Sequence, residues 1–195
     1  MTDTNDALLW ERVRSGDADA FGVLYERHAR LVLAFCLRRT ADPQLAEDTT
    51  ATVFLEAWRQ RRRIVLTTPS AAPYLLGVAT NVLRHHWRSR RRHAAALERV
   101  RAATPTGGGE YADDAIARLD ALRELHAARA ALRSLPRRER EALALVAWGE
   151  LTYQETAAAL GVPVGTVRSR LARARARLGD AFPSQTCIPV EGPVQ

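Results

Sequence analysis

The sequence predicts an all-α protein with two small helical domains joined by a flexible linker. Ala, Leu, Arg and Glu dominate the 195 residues, and these residue types favour helix over strand. Apolar residues recur at helical spacing in both halves, whereas residues 104–109 (TPTGGG) cannot continue a helix. We therefore divide the chain into a first domain at 1–97, a linker at 98–115, a second domain at 116–180 and a loose tail at 181–195.

The charge of the chain narrows its class. All 29 basic residues are Arg and, against 22 acids, they give a net charge of +7, which indicates a polyanionic partner. Two cysteines, Cys36 and Cys187, are too few for a disulfide framework. The apolar run from Leu31 to Leu37 is too short to span a bilayer, and the N-terminus is acidic and polar. We therefore expect a cytoplasmic protein without membrane insertion.

Three helices are predicted before the linker. Asp17 caps the first, and its apolar stripe recurs every three or four residues through Phe21, Leu24, Tyr25, His28, Leu31, Val32 and Phe35. Asp42 and Pro43 are an N-cap and a first-turn proline that open the second helix, which ends in an arginine cluster. The third begins near Pro73 or Tyr74 and continues into the basic stretch at 84–92.

Four helices are predicted after the linker. One runs from about Asp113 and stops near Pro136, and the next covers Arg138 to Trp148, with Gly149 as its C-terminal glycine. The last two follow at residues 151–178.

The segment 151–178 has the pattern of a helix-turn-helix. Thr152 and Glu155 fit a capping box that opens a helix of about two turns, which ends at Gly161. After a Gly-Val-Pro turn, the second helix carries one apolar stripe, made of Val167, Leu171, Ala174 and Leu178. A short helix, a glycine-containing turn and a second amphipathic helix are typical of DNA-binding modules.

The face opposite the apolar stripe is basic. On a helical projection Thr166, Ser169 and Arg173 lie opposite the stripe; beside them are Arg170 and Arg177, and Arg168 and Arg175 lie on the other flank. Arginines without an intervening acid suit phosphate neutralisation and bidentate pairing with guanine. The alternative is a solvated basic helix that only packs against its neighbour, and we favour DNA binding because cap, turn, stripe and charge agree.

A second basic strip, at 84–92 (RHHWRSRRR), interleaves arginines with Trp87 and histidines. Such a strip can hold a sugar-phosphate backbone while an aromatic ring stacks on an unpaired base. The alternative is a solvated helix end whose arginines favour the C-terminal dipole. His85, His86 and the following His93 lack a second pair at ligand spacing, so we predict no metal site and no cofactor.

Two regions resemble one family in the right order. Residues 151–155 (LTYQE), 160–171 (LGVPVGTVRSRL) and 173–175 (RAR) resemble the C-terminal DNA-binding region of extracytoplasmic-function (ECF) sigma factors. The first half is similar to that family's conserved region two at residues 16–21, 24–25, 46–48, 54–58 and 74–81. The resemblance covers about residues 6–95 and 116–180, nearly the whole chain apart from linker and tail.

The resemblance implies a function for each half. The front domain would bind core RNA polymerase and melt the −10 promoter element, and the rear domain would read the −35 element. Near the −10 element would lie Asn81, Arg84, Trp87 and Arg88, with the loop from Arg63 to Pro73 capturing an extruded base. An anti-sigma factor is a further partner that the resemblance allows.

Glu47 and Asp48 would belong to the surface that docks on the polymerase. Exposed acids facing basic residues give steering and register more than raw affinity. An alternative is that they only offset the dipole at a helix start. Just after them, Thr49-Thr50-Ala51-Thr52 departs from the commoner family pattern, an aliphatic residue and a Gln-Glu pair.

Two rival functions remain for such a chain. A helix-turn-helix repressor or response-regulator output domain would explain the rear half and leave the front half unused. An invertase-like recombinase would need a catalytic Ser or Tyr set among acids or arginines in the front domain, and we find no such set. We also find no nucleophile elbow or phosphate-cradling loop, so we predict a non-enzymatic protein.

Overall fold

The computed structural model describes residues 5–101, 131–132 and 134–181. This part of the chain is all-helical, as predicted, with seven helices and no strand. The helices are α1 (Asp6–Arg14), α2 (Ala18–Thr40), α3 (Pro43–Gln60), α4 (Ala72–Arg101), α5 (Arg137–Ala147), α6 (Tyr153–Leu160) and α7 (Val164–Ala181). None of these described helices combines the length and the apolar character needed to cross a membrane.

Helices α1 to α4 form the first half. The predicted N-caps are confirmed, because the Asp17 carboxylate accepts the Ala20 amide at 3.0 Å and the Asp42 carboxylate accepts the Leu45 amide at 3.1 Å. The two long helices α2 and α3 pack along each other, and α4 packs on both. Helix α4 continues to Arg101, four residues into the segment predicted as linker.

Helix α1 was not predicted from the sequence. Asn5 caps its first turn, and Leu9, Trp10 and Val13 bury their side chains in the core of the first half. The Trp10 ring meets Tyr74 of α4 edge-on, with centroids 5.4 Å apart. A short helix with three apolar anchors has too little periodicity to stand out from a polar terminus.

Helices α5 to α7 form the second half, and the predicted helix-turn-helix is confirmed. The capping box is present in both directions between Thr152 and Glu155, and Gly161 ends α6 in the left-handed region at φ 62°. Val167, Leu171 and Ala174 of the apolar stripe are fully buried, and its fourth member, Leu178, packs against them. Nearly all of the predicted helix from Asp113 to about Pro136 lies outside the described residues.

The two halves share one hydrophobic core. Ala144 and Leu145 of α5 and Leu151 before α6 are buried in the same cluster as the core of the first half. Helix α4 crosses α6 so closely that a Cβ on Gly77 would lie 2.5 Å from the carbonyl oxygen of Ala159. Because Gly77 has no side chain, the backbones of α4 and α6 can approach this closely.

Gly149 has a different role from the predicted one. The left-handed residue after α5 is Glu150, at φ 55°, and Gly149 is not at positive φ. A Cβ on Gly149 would lie 2.8 Å from the Leu76 side chain of α4. Gly149 therefore follows the end of α5, as predicted, but without the left-handed backbone of a C-terminal glycine. Its missing side chain leaves room for the Leu145 carbonyl oxygen of α5, 2.6 Å from an added Cβ, as well as for Leu76.

Candidate nucleic-acid interface

The predicted base-reading face lies on the outside of α7. Arg168, Ser169 and Arg173 are exposed, whereas Thr166 and Arg170 are half-buried. The Arg173 guanidinium folds back along the helix, donating to the Ser169 carbonyl at 3.2 Å and to its hydroxyl at 3.4 Å. The structure thus brings the predicted residues together on one accessible surface.

A buried acid of α5 accompanies this face. Glu139 is only 6% exposed, and its carboxylate lies 3.3 Å from Arg177 and 3.9 Å from Arg173. The side chains of both arginines remain more than half exposed, so these are loose ion pairs. Such pairs contribute little to stability and leave the arginines able to turn toward another anion.

Arg175, predicted on the flank of the same helix, is held by a neutral group. It donates to the Tyr153 hydroxyl of α6 at 2.8 Å and is half-buried. This bond joins the two helices of the helix-turn-helix. It also fixes the direction of the Arg175 side chain.

Of the residues predicted on α4, two are exposed and two contact other parts of the protein. Asn81 and Arg88, seven residues apart on one helical face, are both exposed. Arg84 instead donates to Glu141 of α5 in a bidentate pair, from Nε at 3.1 Å and from Nη2 at 2.8 Å. Glu141 is only 2% exposed. Because it belongs to α5, this pair joins Arg84 to the second half of the chain.

Trp87 is also engaged within the protein. It is half-buried, and the Arg39 guanidinium of α2 lies 5.1 Å from its ring centre and 5.5 Å from that of Phe35. Burial between these rings lowers the pKa of Arg39 to about 10, and the charge of Glu141 opposes that shift. Arg39 therefore remains a cation at neutral pH, close to the pair of Glu141 and Arg84.

The two predicted polymerase-docking acids lie on the surface of α3. Glu47 and Asp48 are exposed in its second turn, and the first turn carries no acid. The dipole of a helix acts mainly on its first turn, so the dipole-offset alternative loses support. Of the four residues that depart from the family pattern, Thr49 and Thr50 are buried.

Helix α1 fastens both ends of the loop between α3 and α4. Trp10 donates its indole N–H to the Ile64 carbonyl at 3.1 Å, and the Asp6 carboxylate accepts the Ala71 amide at 2.8 Å. Asp6 also pairs with His28 at 2.6 Å. Its burial would raise its pKa, but the Ala71 and His28 bonds outweigh that effect and the pKa is lowered.

The sequence analysis missed the acids that accompany the two basic strips. Glu139, Glu141 and Tyr153 were not predicted as partners of these arginines. A buried charge is costly unless paired, so their burial follows only from the arginines that surround them in three dimensions. No group of three or more residues able to hold a metal ion occurs in the described part of the chain.

Two family models match the chain. Sigma-70 region 2 matches residues 24–93, and Sigma-70 region 4 matches residues 125–178. The first covers most of α2 to α4, and the second covers the helix-turn-helix and the helix before it.

Curated relatives and solved structures agree with these matches. The RNA polymerase sigma factor CarQ of Myxococcus xanthus is 33% identical over 86% of this chain and 92% of its own length. The ECF RNA polymerase sigma factor SigK of Mycolicibacterium vanbaalenii is 31% identical over 85% of this chain and 83% of its own. The fold is similar to CnrH in complex with the cytosolic domain of CnrY, with a TM-score of 0.64, 23% identity, and coverage of 93% of this chain and 99% of CnrH. The chain belongs to the ECF family of RNA polymerase sigma factors, which direct initiation at promoters.

Proposed function

We propose that α7 reads the −35 element of the promoter in the major groove. The observation that carries this proposal is the exposed face of α7, where Ser169 and Arg173 stand opposite a largely buried apolar stripe and the exposed Arg168 lies on the flank. The N-terminal part of a recognition helix reaches base edges, and arginine can pair bidentately with guanine. Arg170, Arg175 and Arg177 lie beside this face and would contact phosphates.

The strip on α4 is proposed to bind the −10 element as an unpaired strand. Asn81 and Arg88 are exposed and supply hydrogen-bond donors, and Arg84 and Trp87 lie between them on the helix. Flipping a base costs a few kcal/mol, within what stacking and hydrogen bonds supply. Opening DNA then requires only that the unpaired strand be bound better than the duplex.

Glu47 and Asp48 are proposed to dock the protein on core polymerase. Their exposure in the second turn of α3 supports this role. The polymerase would carry out the chemistry in the cytoplasm, so the chain itself would be no enzyme. We include an anti-sigma factor among the proposed partners, because the similar fold of RpoE from Bartonella quintana, with a TM-score of 0.61, 22% identity and coverage of 85% of this chain and 98% of RpoE, was solved with the anti-sigma factor NepR.

Transcription in vitro tests the proposal. Purified chain and core polymerase are combined on genomic fragments, including the region upstream of the chain's own gene. We expect transcripts with defined starts that core polymerase alone does not produce. Equal transcription with and without the chain, on every fragment, would overturn the proposal.

A further inference from the structure

The loop between α3 and α4 has two sides of different character. Half-buried and exposed positions alternate along residues 64–70. Ile64 packs against the core of the first half, whereas the next side chain, Val65, is 62% exposed. Thr67 and Pro69 are the other exposed positions of this stretch. One side of the loop therefore rests on the protein, and the other side is open to solvent.

One turn of α1 holds this loop at both of its ends. Trp10 donates its indole N–H to the Ile64 carbonyl at 3.1 Å. Asp6 lies four residues earlier and so on the same face of α1. Its carboxylate accepts the Ala71 amide at 2.8 Å and the Ser70 hydroxyl at 3.3 Å. A single helical turn thus sets the position of both loop ends.

Helix α1 is in turn fixed to α2 at two points. The Asp6 carboxylate lies 2.6 Å from Nε2 of His28 and also pairs with Arg27. Toward the other end of α1, Arg12 donates to the carboxylate of Asp17, the N-cap of α2, at 2.9 Å. Asp6 is only 4% exposed, and each hydrogen bond of a buried carboxylate is costly to lose. Helix α1 therefore connects α2 rigidly to the loop.

We propose that α1 positions the loop between α3 and α4 to receive an extruded base of the −10 element, with Asp6 and Trp10 as its positioning residues. This inference rests on the proposed binding of −10 DNA as an unpaired strand. Asp6 and Trp10 are buried and would not touch the DNA, whereas the side with Val65, Thr67 and Pro69 would. A loop that is already ordered loses less conformational entropy when it binds, so the base is held more tightly.

Two substitutions each release one end of the loop. Asp6→Ala removes the acceptor of the Ala71 amide, and Trp10→Phe keeps an aromatic ring in the core while removing the donor to Ile64. Asp6→Asn loses the charge but retains a side-chain oxygen for the Ala71 amide, so it should rescue the contact with the loop. The matched control is Val13→Ala, which shortens a fully buried side chain of α1 that cannot hydrogen-bond to the loop.

Hydrogen exchange of the full chain without polymerase measures whether α1 holds the loop. We expect the amides of residues 64–71 to exchange about tenfold faster in Asp6→Ala and in Trp10→Phe than in wild type, because loop amides exchange by local opening. In Asp6→Asn and Val13→Ala, exchange of the same amides should stay within about twofold of wild type.

Binding by the holoenzyme measures whether the held loop captures a base. The probe is a promoter fragment from the transcription assay, with its −35 element in duplex and its −10 non-template strand unpaired. Each −10 base is replaced in turn by an abasic site. We expect wild-type holoenzyme to bind about tenfold more weakly when the captured base is missing, in the range measured for stacked bases.

Asp6→Ala and Trp10→Phe should reduce this abasic effect to about twofold at the captured position and leave the other positions unchanged. Each effect is a ratio of two affinities of the same preparation. An inactive fraction of the protein cancels in that ratio, so general instability of a variant cannot produce the expected result.

Three results would overturn the inference. One is unchanged exchange of the loop in both releasing variants, and another is faster exchange with the full abasic effect retained. The third is a loss of the abasic effect in Val13→Ala or Asp6→Asn as large as in Asp6→Ala. Failure of the proposed function is distinguishable, because wild-type holoenzyme would then bind intact and abasic strands equally, which overturns base capture and this inference together.

Discussion

Helix α5 carries two buried acids, one paired with an arginine of α4 and the other with arginines of α7. The geometry of these two sets of ion pairs differs. Glu141 binds Arg84 of α4 through two hydrogen bonds of 2.8 and 3.1 Å. Glu139, two residues earlier, lies 3.3 to 3.9 Å from Arg177 and Arg173 of α7, whose side chains are more than half exposed. Residues two apart are about 200° apart around a helix, so the acids point to opposite sides.

The proposed −35 surface on α7 is therefore accessible, whereas the proposed −10 surface on α4 is partly occupied by Glu141. On α7 the side chains of Arg168, Ser169, Arg173 and Arg177 are exposed, and the ion pairs of Arg173 and Arg177 with Glu139 are loose. On α4 the central arginine is bound to the other half of the chain, and only Asn81 and Arg88 of the predicted set are exposed. Four measurements test this contrast.

The largest effect is expected on stability. Arg84→Ala leaves Glu141 with its bidentate partner missing, and breaking a buried pair should lower the free energy of unfolding by about 2–3 kcal/mol. Arg173→Ala removes only a loose, exposed pair and should change it by less than about 0.5 kcal/mol. Urea unfolding of both variants checks this, and equal effects would show that the two pairs do not differ in strength.

Removing Arg173 should instead act on DNA recognition. Its side chain lies opposite the buried stripe of α7, so Arg173→Ala should cost about 1–3 kcal/mol at the preferred −35 sequence and relax base preference there. Binding to matched and mismatched −35 duplexes measures both effects. A loss of the same size on every sequence would assign Arg173 to phosphate contact.

Charge reversal on α3 should leave DNA binding by α4 and α7 unchanged. Glu47→Lys with Asp48→Lys is expected to weaken binding to core polymerase by about tenfold, because complementary surface charge steers docking. Binding to a −35 duplex without polymerase should not weaken. The control is Glu11→Lys with Glu26→Lys, two exposed acids that belong to α1 and α2. Unimpaired assembly of the holoenzyme would return Glu47 and Asp48 to a structural role.

The smallest effect is expected at Arg175. Arg175→Ala should weaken binding to all duplexes about equally and reduce the slope of log affinity against log salt by roughly one unit. Tyr153→Phe, which removes the hydroxyl that holds Arg175 but keeps its charge, should leave the slope unchanged. A loss of sequence preference in Arg175→Ala would mean that α7 is rotated in the groove relative to our projection.

Local signals in the sequence predicted much of the fold. The caps at Asp17, Asp42 and Thr152 were found because a side-chain oxygen at a helix start satisfies backbone amides a few residues away. The buried stripe of α7 was found because helical periodicity is a local property. The helix-turn-helix and its basic face could therefore be predicted residue by residue.

Features that depend on contacts between distant segments could not be predicted. Gly77 and Gly149 appear in the sequence as residues that weaken or end helices, and only the crossing of α4 with the second half shows that they make space. Arg84 carries the same sequence signal as Arg88, yet one is bound to Glu141 and the other is exposed. Nothing within a few residues of either distinguishes them.

The buried acids of α5 also affect the number of ions that DNA binding releases. When an arginine free in solution meets a phosphate, a counterion leaves the DNA, and the affinity falls steeply with salt. An arginine that leaves Glu139 or Glu141 exposes a carboxylate, which gathers cations from the solvent in its turn. Arg84, Arg173 and Arg177 should therefore each contribute less than a full unit to the salt slope. The promoter complex would then tolerate changes in ionic strength better than its number of arginine–phosphate contacts suggests.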